Sequence, residues 1–150
     1  MPVLKIFLHF VWSTKNRTPF LATPEIRQKV WQHTKDNAKL KGIHLLEISG
    51  FKDHCHCIIS LGKDQTVSKI AQLLKGECSY WINKTGIIND FFSKEKFDWQ
   101  DDYYVESVSP HHLHAMRNYL LIQEEHHKTM SFEEEYERFF KEYNEGNLPI

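Results

Sequence analysis

No apolar run in this 150-residue chain approaches the roughly 20 residues that a membrane-spanning helix needs. Met1 to Phe10 has neither the basic start nor the small-residue cleavage site of a secretory signal. Both absences lead to the expectation of a soluble, cytoplasmic protein with no membrane partner. Cysteine is scarce and odd in number, with only Cys55, Cys57 and Cys78. That pattern fits buried thiols better than a disulfide framework. There is no internal repeat and no low-complexity segment, which excludes solenoids and arrays. A strong net charge is missing too: the formal value is -1. Of the 19 Lys and Arg and 20 Asp and Glu, 2 and 6 fall in Thr129 to Ile150, leaving 17 against 14 over Met1 to Lys128. The body is therefore mildly basic and the tail acidic, which permits a phosphate-contacting surface without demanding one. The length suits one domain, taken as residues 1–128, followed by an acidic tail over 129–150.

The stretch around which the chain is organised is Lys52-Asp53-His54-Cys55-His56-Cys57-Ile58-Ile59-Ser60-Leu61. Successive side chains of a strand point to opposite faces, so Cys55, Cys57, Ile59 and Leu61 form one apolar row, and His54, His56, Ile58 and Ser60 form the other. Burying the cysteine row is expected to send both imidazoles out together on the opposite surface. Two histidines on one stiff strand are half of a metal site, because their ring nitrogens can converge on one cation. The plainer reading, two half-exposed imidazoles, is the commoner outcome for a His-x-His pair. A tetrahedral zinc site built from four consecutive strand residues is excluded, because they point alternately up and down.

Val3 to Trp12 alternates as a first, central strand. Ser13 to Pro19 is a polar loop carrying Lys15 and Arg17, either a solvated turn or a phosphate contact. Thr23-Pro24 is an N-cap followed by proline at the first helical position, predicting a helix to about Lys41 that Gly42 stops. Ile43 to Ser49 and the His-x-His stretch form a hairpin. Thr66 caps a second helix whose Val67, Ile70, Leu74, Cys78 and Trp81 recur at helical spacing, while Lys69 and Lys75 lie off the stripe and are either solvated or DNA-contacting. Ile87 to Asp102 is irregular and aromatic, Tyr103 to Val108 is a fourth strand, and Ser109-Pro110 opens a last helix running to about Lys128. The order β-α-β-β-α-β then α predicts an α+β, ferredoxin-like split βαβ sandwich: an antiparallel sheet with helices on one face, the other face open, and an appended C-terminal helix.

That last helix has an apolar stripe of Leu113, Met116 and Leu120, with Tyr119 and Gln123 four residues apart on a neighbouring face. Tyr119 by itself reads as a packing residue. With Gln123 offering a neutral oxygen one turn away, His54, His56 and Gln123 can hold one cation and leave positions for water and phosphate, and Tyr119 can point at that phosphate. Asp53 is either a turn residue or an acceptor that orients an imidazole.

Taken together, these stretches resemble the single-tyrosine HUH transposases of small bacterial insertion sequences, which include the repeat-associated tyrosine transposases. The resemblance rests on His54-Cys55-His56 and on Tyr119-Leu120-Leu121-Ile122-Gln123. It is supported by Trp12 to Pro19, Trp99-Gln100, Ser107 to Pro110 and Gln123 to His127, and so spans roughly residues 3–140. Cys55 fills a core slot that is usually a larger aliphatic, and Asp102 stands where the family has glycine. The resemblance implies cleavage and rejoining of single-stranded DNA at hairpin-containing ends, with Tyr119 as nucleophile forming a 5′-phosphotyrosine bond. It also implies Mg²⁺ or Mn²⁺ on His54, His56 and Gln123, and a homodimer whose tyrosine helices complete each other's sites. Lys15, Arg17, Lys69 and Lys75 are the candidate DNA contacts. A non-cleaving, hairpin-binding regulator on the same scaffold is the alternative. A replication-initiation nuclease is disfavoured, since neither a helicase nor a second nucleophilic tyrosine is evident.

Overall fold

The computed structural model describes residues 2–122. In chain order its elements are β1 (Phe7–Ser13), α1 (Pro24–Leu40), β2 (His44–Phe51), β3 (His54–Ser60), α2 (Val67–Thr85), α3 (Asn89–Phe92), β4 (Tyr104–Val108) and α4 (Leu113–Leu121), with a short 3-10 turn at Lys15–Arg17. The strands pair antiparallel in the order β2-β3-β1-β4. β3 thus inserts between β1 and β2, which is the split βαβ arrangement.

The helix boundaries follow from local chemistry. Thr23 accepts a hydrogen bond from the Ile26 amide and Thr66 one from the Lys69 amide, each satisfying an amide that has no partner inside its helix. Gly86 ends α2 at φ 68°, a left-handed conformation that costs a residue without a side chain little. β1 starts four residues later than its sequence alternation predicts. Its partners run out at Phe7, which pairs with Ser60 on one side and Val108 on the other. α4 begins at Leu113 rather than at Pro110. The Ser109 hydroxyl accepts from the His111 amide and the Ser109 carbonyl from the His112 amide, so a turn precedes the helix.

Two apolar layers result. The larger lies between the sheet and α1 and α2, where Phe10, Trp12, Cys55, Cys57 and Ile59 meet Val30, Ala38, Ile70, Leu74 and Cys78. Phe97 and Trp99 are buried in it and serve the core, whereas Phe91 is exposed. The smaller layer is on the opposite face, where Met116 and Leu120 of α4 pack on Ile58 and Val108, with Phe7, Leu46, Leu113 and Tyr119 around them. The face expected to be open is therefore partly covered. The Leu113/Met116/Leu120 stripe needs an apolar partner, and Phe7, Ile58 and Val108 supply one beyond the histidines.

Candidate metal centre and tyrosine helix

The alternation of β3 places His54 and His56 opposite the cysteine row, as its period requires, but both are buried, at 0% and 1% exposure, rather than projecting at the surface. β3 is an inner strand. His54 lies between Ser13 and Phe51, and His56 between Val11 and Ser49. Buried imidazoles need hydrogen-bond partners, and each has one. His54 Nδ1 is 2.9 Å from Asp53 Oδ1, and His56 Nδ1 is 2.8 Å from His9 Nε2. His9 is also fully buried, and its Nδ1 is 3.1 Å from Glu106 Oε1. The Tyr104 hydroxyl donates to the second oxygen of Glu106.

The loop after β1 completes the Asp53 side. The Thr14 amide donates to the Asp53 carbonyl and the Leu21 amide to the Lys52 carbonyl, so the loop is tied to the β2–β3 turn, while the Thr14 hydroxyl donates to the Thr18 carbonyl within the loop. This brings the Arg17 guanidinium onto Asp53 Oδ2, through Nε at 3.1 Å and Nη2 at 3.0 Å. Arg17 has φ 57°, a left-handed conformation uncommon for a long side chain. Burial by itself would raise the Asp53 carboxyl. The hydrogen bond and charge of His54, followed by those of Arg17, outweigh it and hold the group below the usual aspartate value. Asp53 is thus both a turn residue and the acceptor for His54.

The two imidazole centres are 5.1 Å apart at an interplanar angle of 77°, a spacing over which two rings can converge on one cation. A carboxylate at Nδ1 puts the proton there and the lone pair on Nε2, which is how ligand histidines are oriented. The donor set suits a cation, and within the described residues it is half a site. No group of three or more His, Cys, Asp or Glu is arranged to hold a metal ion among the described residues. Gln123, the expected third ligand, lies outside them, as do His126, His127 and the acidic tail.

Tyr119 lies on α4, half-buried in the smaller apolar layer together with Ile58, the next residue after His56 on that face of β3. α4 is held there by Arg117, whose Nε and Nη2 donate to Glu47 Oε1 of β2 at 3.1 and 3.0 Å. The structure therefore places the tyrosine helix and the histidine pair on one sheet face. Of the cationic residues, Lys15 is 61% exposed, with Asp98 at 4.0 Å. Lys69 is exposed in the first turn of α2. Lys75 is different: its ammonium donates to the carbonyls of Gln100, Asp101 and Asp102 at 2.6, 2.9 and 3.3 Å. An ammonium has three hydrogens, so Lys75 fastens the loop before β4 to α2.

His9 and Glu106 are the residues that sequence reasoning missed. The one local sign is a lone histidine in the β1 row otherwise made of Phe7, Val11 and Ser13. Its carboxylate partner lies 97 residues away.

Residues 2–123 match a family model described as transposase IS200-like. No curated protein matches the chain. Among solved structures, it is similar to a candidate transposase from Deinococcus radiodurans R1, at 21% identity over 81% of this chain and 93% of that one, with a TM-score of 0.64. It is also similar to a REP-associated tyrosine transposase bound to a REP hairpin, at 14% identity over 85% of this chain and 71% of that one, with a TM-score of 0.55. At these identities the likeness is one of fold.

Proposed function

The chain belongs to the IS200-like transposase family, and on that premise we propose that it cleaves and rejoins single-stranded DNA with Tyr119 as nucleophile. In this reading His54, His56 and Gln123 hold one divalent cation, Mg²⁺ or Mn²⁺. The observation that carries it is the shared sheet face: two histidines with both Nδ1 atoms engaged, and beside them a helix bearing a tyrosine.

Tyr119 Oη attacks the phosphorus, forming an O–P bond as the bond from phosphorus to the 3′ oxygen breaks. The phenol loses its proton, and the departing oxygen ends as a free 3′ hydroxyl. The protein keeps a 5′-phosphotyrosine bond whose energy is close to that of the diester it replaced, so a later 3′ hydroxyl can attack it and rejoin strands without ATP. A phenol has a pKa of about 10 and is a weak nucleophile when protonated. The cation, when bound, polarises the scissile phosphate and stabilises the phenolate. Asp53, held in turn by Arg17, orients His54 for this task, and Lys15 and Arg17 put positive charge on the loop tied to the histidine hairpin. Lys69 is a further phosphate contact in this reading. Hairpin DNA is the proposed substrate, supported by the hairpin bound to the REP-associated relative. A homodimer with shared sites belongs to the same proposal.

The test is incubation with Mn²⁺ and labelled single-stranded hairpin oligonucleotides, followed by denaturing gels and mass spectrometry. An adduct on Tyr119 that is absent from Tyr119→Phe and from His56→Ala is the expected result. Adducts that survive Tyr119→Phe refute the nucleophile, and tight hairpin binding with no adduct replaces the enzyme by the non-cleaving regulator.

A further inference from the structure

We infer that His9 and Glu106 are positioning residues for the metal ligand His56, acting as a relay across three strands. The inference deepens the metal reading above and rests on it. A carboxylate only accepts hydrogen bonds, and a neutral imidazole has one donor and one acceptor. The direction of the chain is therefore set from one end. With both rings neutral, Glu106 accepts from His9 Nδ1–H, His9 Nε2 accepts from His56 Nδ1–H, and the lone pair of His56 is fixed on Nε2.

The sheet explains why an extra imidazole is needed. Glu106 stands on β4 and His56 on β3, with β1 between them. Neighbouring strands are about 4.8 Å apart, so a β4 carboxylate cannot touch a β3 side chain. His9 lies directly opposite Glu106 in the β1–β4 register and diagonal to His56 in the β1–β3 register, where its own partner is Ile58. All three side chains thus meet on one face.

Ring geometry agrees. The His9 and His56 centroids are 5.1 Å apart at 11°, while the facing nitrogens are 2.8 Å apart. The second distance is shorter than the first by about two ring radii, so the rings lie edge to edge in nearly one plane, as an N–H···N bond requires, and not face to face. Both rings are buried and the Glu106 side chain is 12% exposed, so water competes little for these bonds. His54 obtains the same service from Asp53 directly, since the two are adjacent in sequence. Each histidine of the pair thus has its own carboxylate, one direct and one relayed.

The experiment reads the tautomer and the metal separately. Long-range ¹H–¹⁵N spectra of the metal-free protein are expected to show His56 protonated on Nδ1. His9→Phe removes the acceptor at similar bulk, and is expected to release that tautomer and weaken Mn²⁺ binding about ten- to a hundredfold. His9→Gln returns an acceptor oxygen near the old Nε2 position and is expected to restore most of both. A wild-type His56 protonated on Nε2 overturns the relay, as does a folded His9→Phe that binds Mn²⁺ like wild type. Should His9→Phe fail to fold, the wild-type tautomer and the His9→Gln titration still decide. Wild-type protein that binds no Mn²⁺ would sink the metal reading, and the His56 tautomer would then judge the relay alone.

Discussion

Substituting alanine at Gly50 and at Gly76 should move stability in opposite directions, and the reason lies in what the added methyl meets. Gly50 is buried on β2, paired with Cys55. A Cβ there would run into the His54 carbonyl oxygen, with the Cys55 Cα and the His54 carbonyl carbon each 3.0 Å away. All three are backbone atoms, so no side-chain rotation relieves the clash and the two strands must separate locally. Overpacking of this kind costs about 1–3 kcal/mol, and a backbone wall puts the cost at the upper end. For a chain of this size that is a fall in Tm of about 5–10 °C. The strain also falls on the residue whose ring bonds to Asp53, so Mn²⁺ affinity should drop with stability. Gly76 is in the interior of α2 with no atom within 4 Å of an added Cβ. There Ala removes the conformational cost of glycine in a helix and gains about 0.5–1 kcal/mol, or about 1–4 °C. Thermal melts followed by circular dichroism, with Mn²⁺ titration of each variant, test both. Gly50→Ala melting at or above wild type would refute the argument. A destabilised Gly50→Ala that binds Mn²⁺ unchanged would break the link between strand spacing and the histidine pair.

Two further outcomes are expected. Burial pushes the Cys78 thiol up to about 12, against the lowering effect of the neighbouring Thr34 and Trp99 side chains, and pushes Cys55 well up beside Cys57. Native protein at pH 8 should therefore give no fast reaction with a disulfide reagent, while denatured protein should react at all three buried thiols; one rapidly reacting native thiol would contradict the burial of the cysteine row. Asp53 has a depressed folded pKa, so its contribution to stability is fully present above the unfolded aspartate value near 4 and is lost as pH falls through the lower folded value. The urea midpoints of wild type and Asp53→Asn should accordingly differ by a constant amount from pH 7 to about 5 and converge toward pH 3, and a gap that widens on acidification would reverse the sign of the argument.

What was legible in the sequence was whatever depends on neighbours along the chain. Thr23 and Thr66 announce helix starts because a hydroxyl reaches an amide three residues on, and His54 and His56 share a face because the strand period is two. The same period misleads on burial. It says that the histidines oppose the cysteines, and only the position of β3 inside the sheet says that the opposite face is shielded as well. The surroundings of Lys75 were hidden for a related reason. A lysine off the apolar stripe of a helix reads as solvated until the loop before β4 closes over it and presents three carbonyls.

His9 and Glu106 mark the boundary between the two kinds of information. Their pairing depends on register, and register is set by which apolar rows meet: Leu8 and Phe10 against Ile59 and Cys57 on one side, and Phe10 against Val105 on the other. Yet the βαββαβ order already implies that β1 lies between β3 and β4. A histidine buried on such a strand is costly without a partner, and the strands beside it can provide one. β3 offers the imidazole of His56 and β4 the carboxylate of Glu106. The contacts Glu106–His9–His56 therefore agree with the topology and with the cost of burying an imidazole, once the histidine in the first strand is treated as a demand for a partner and not as a break in an apolar pattern.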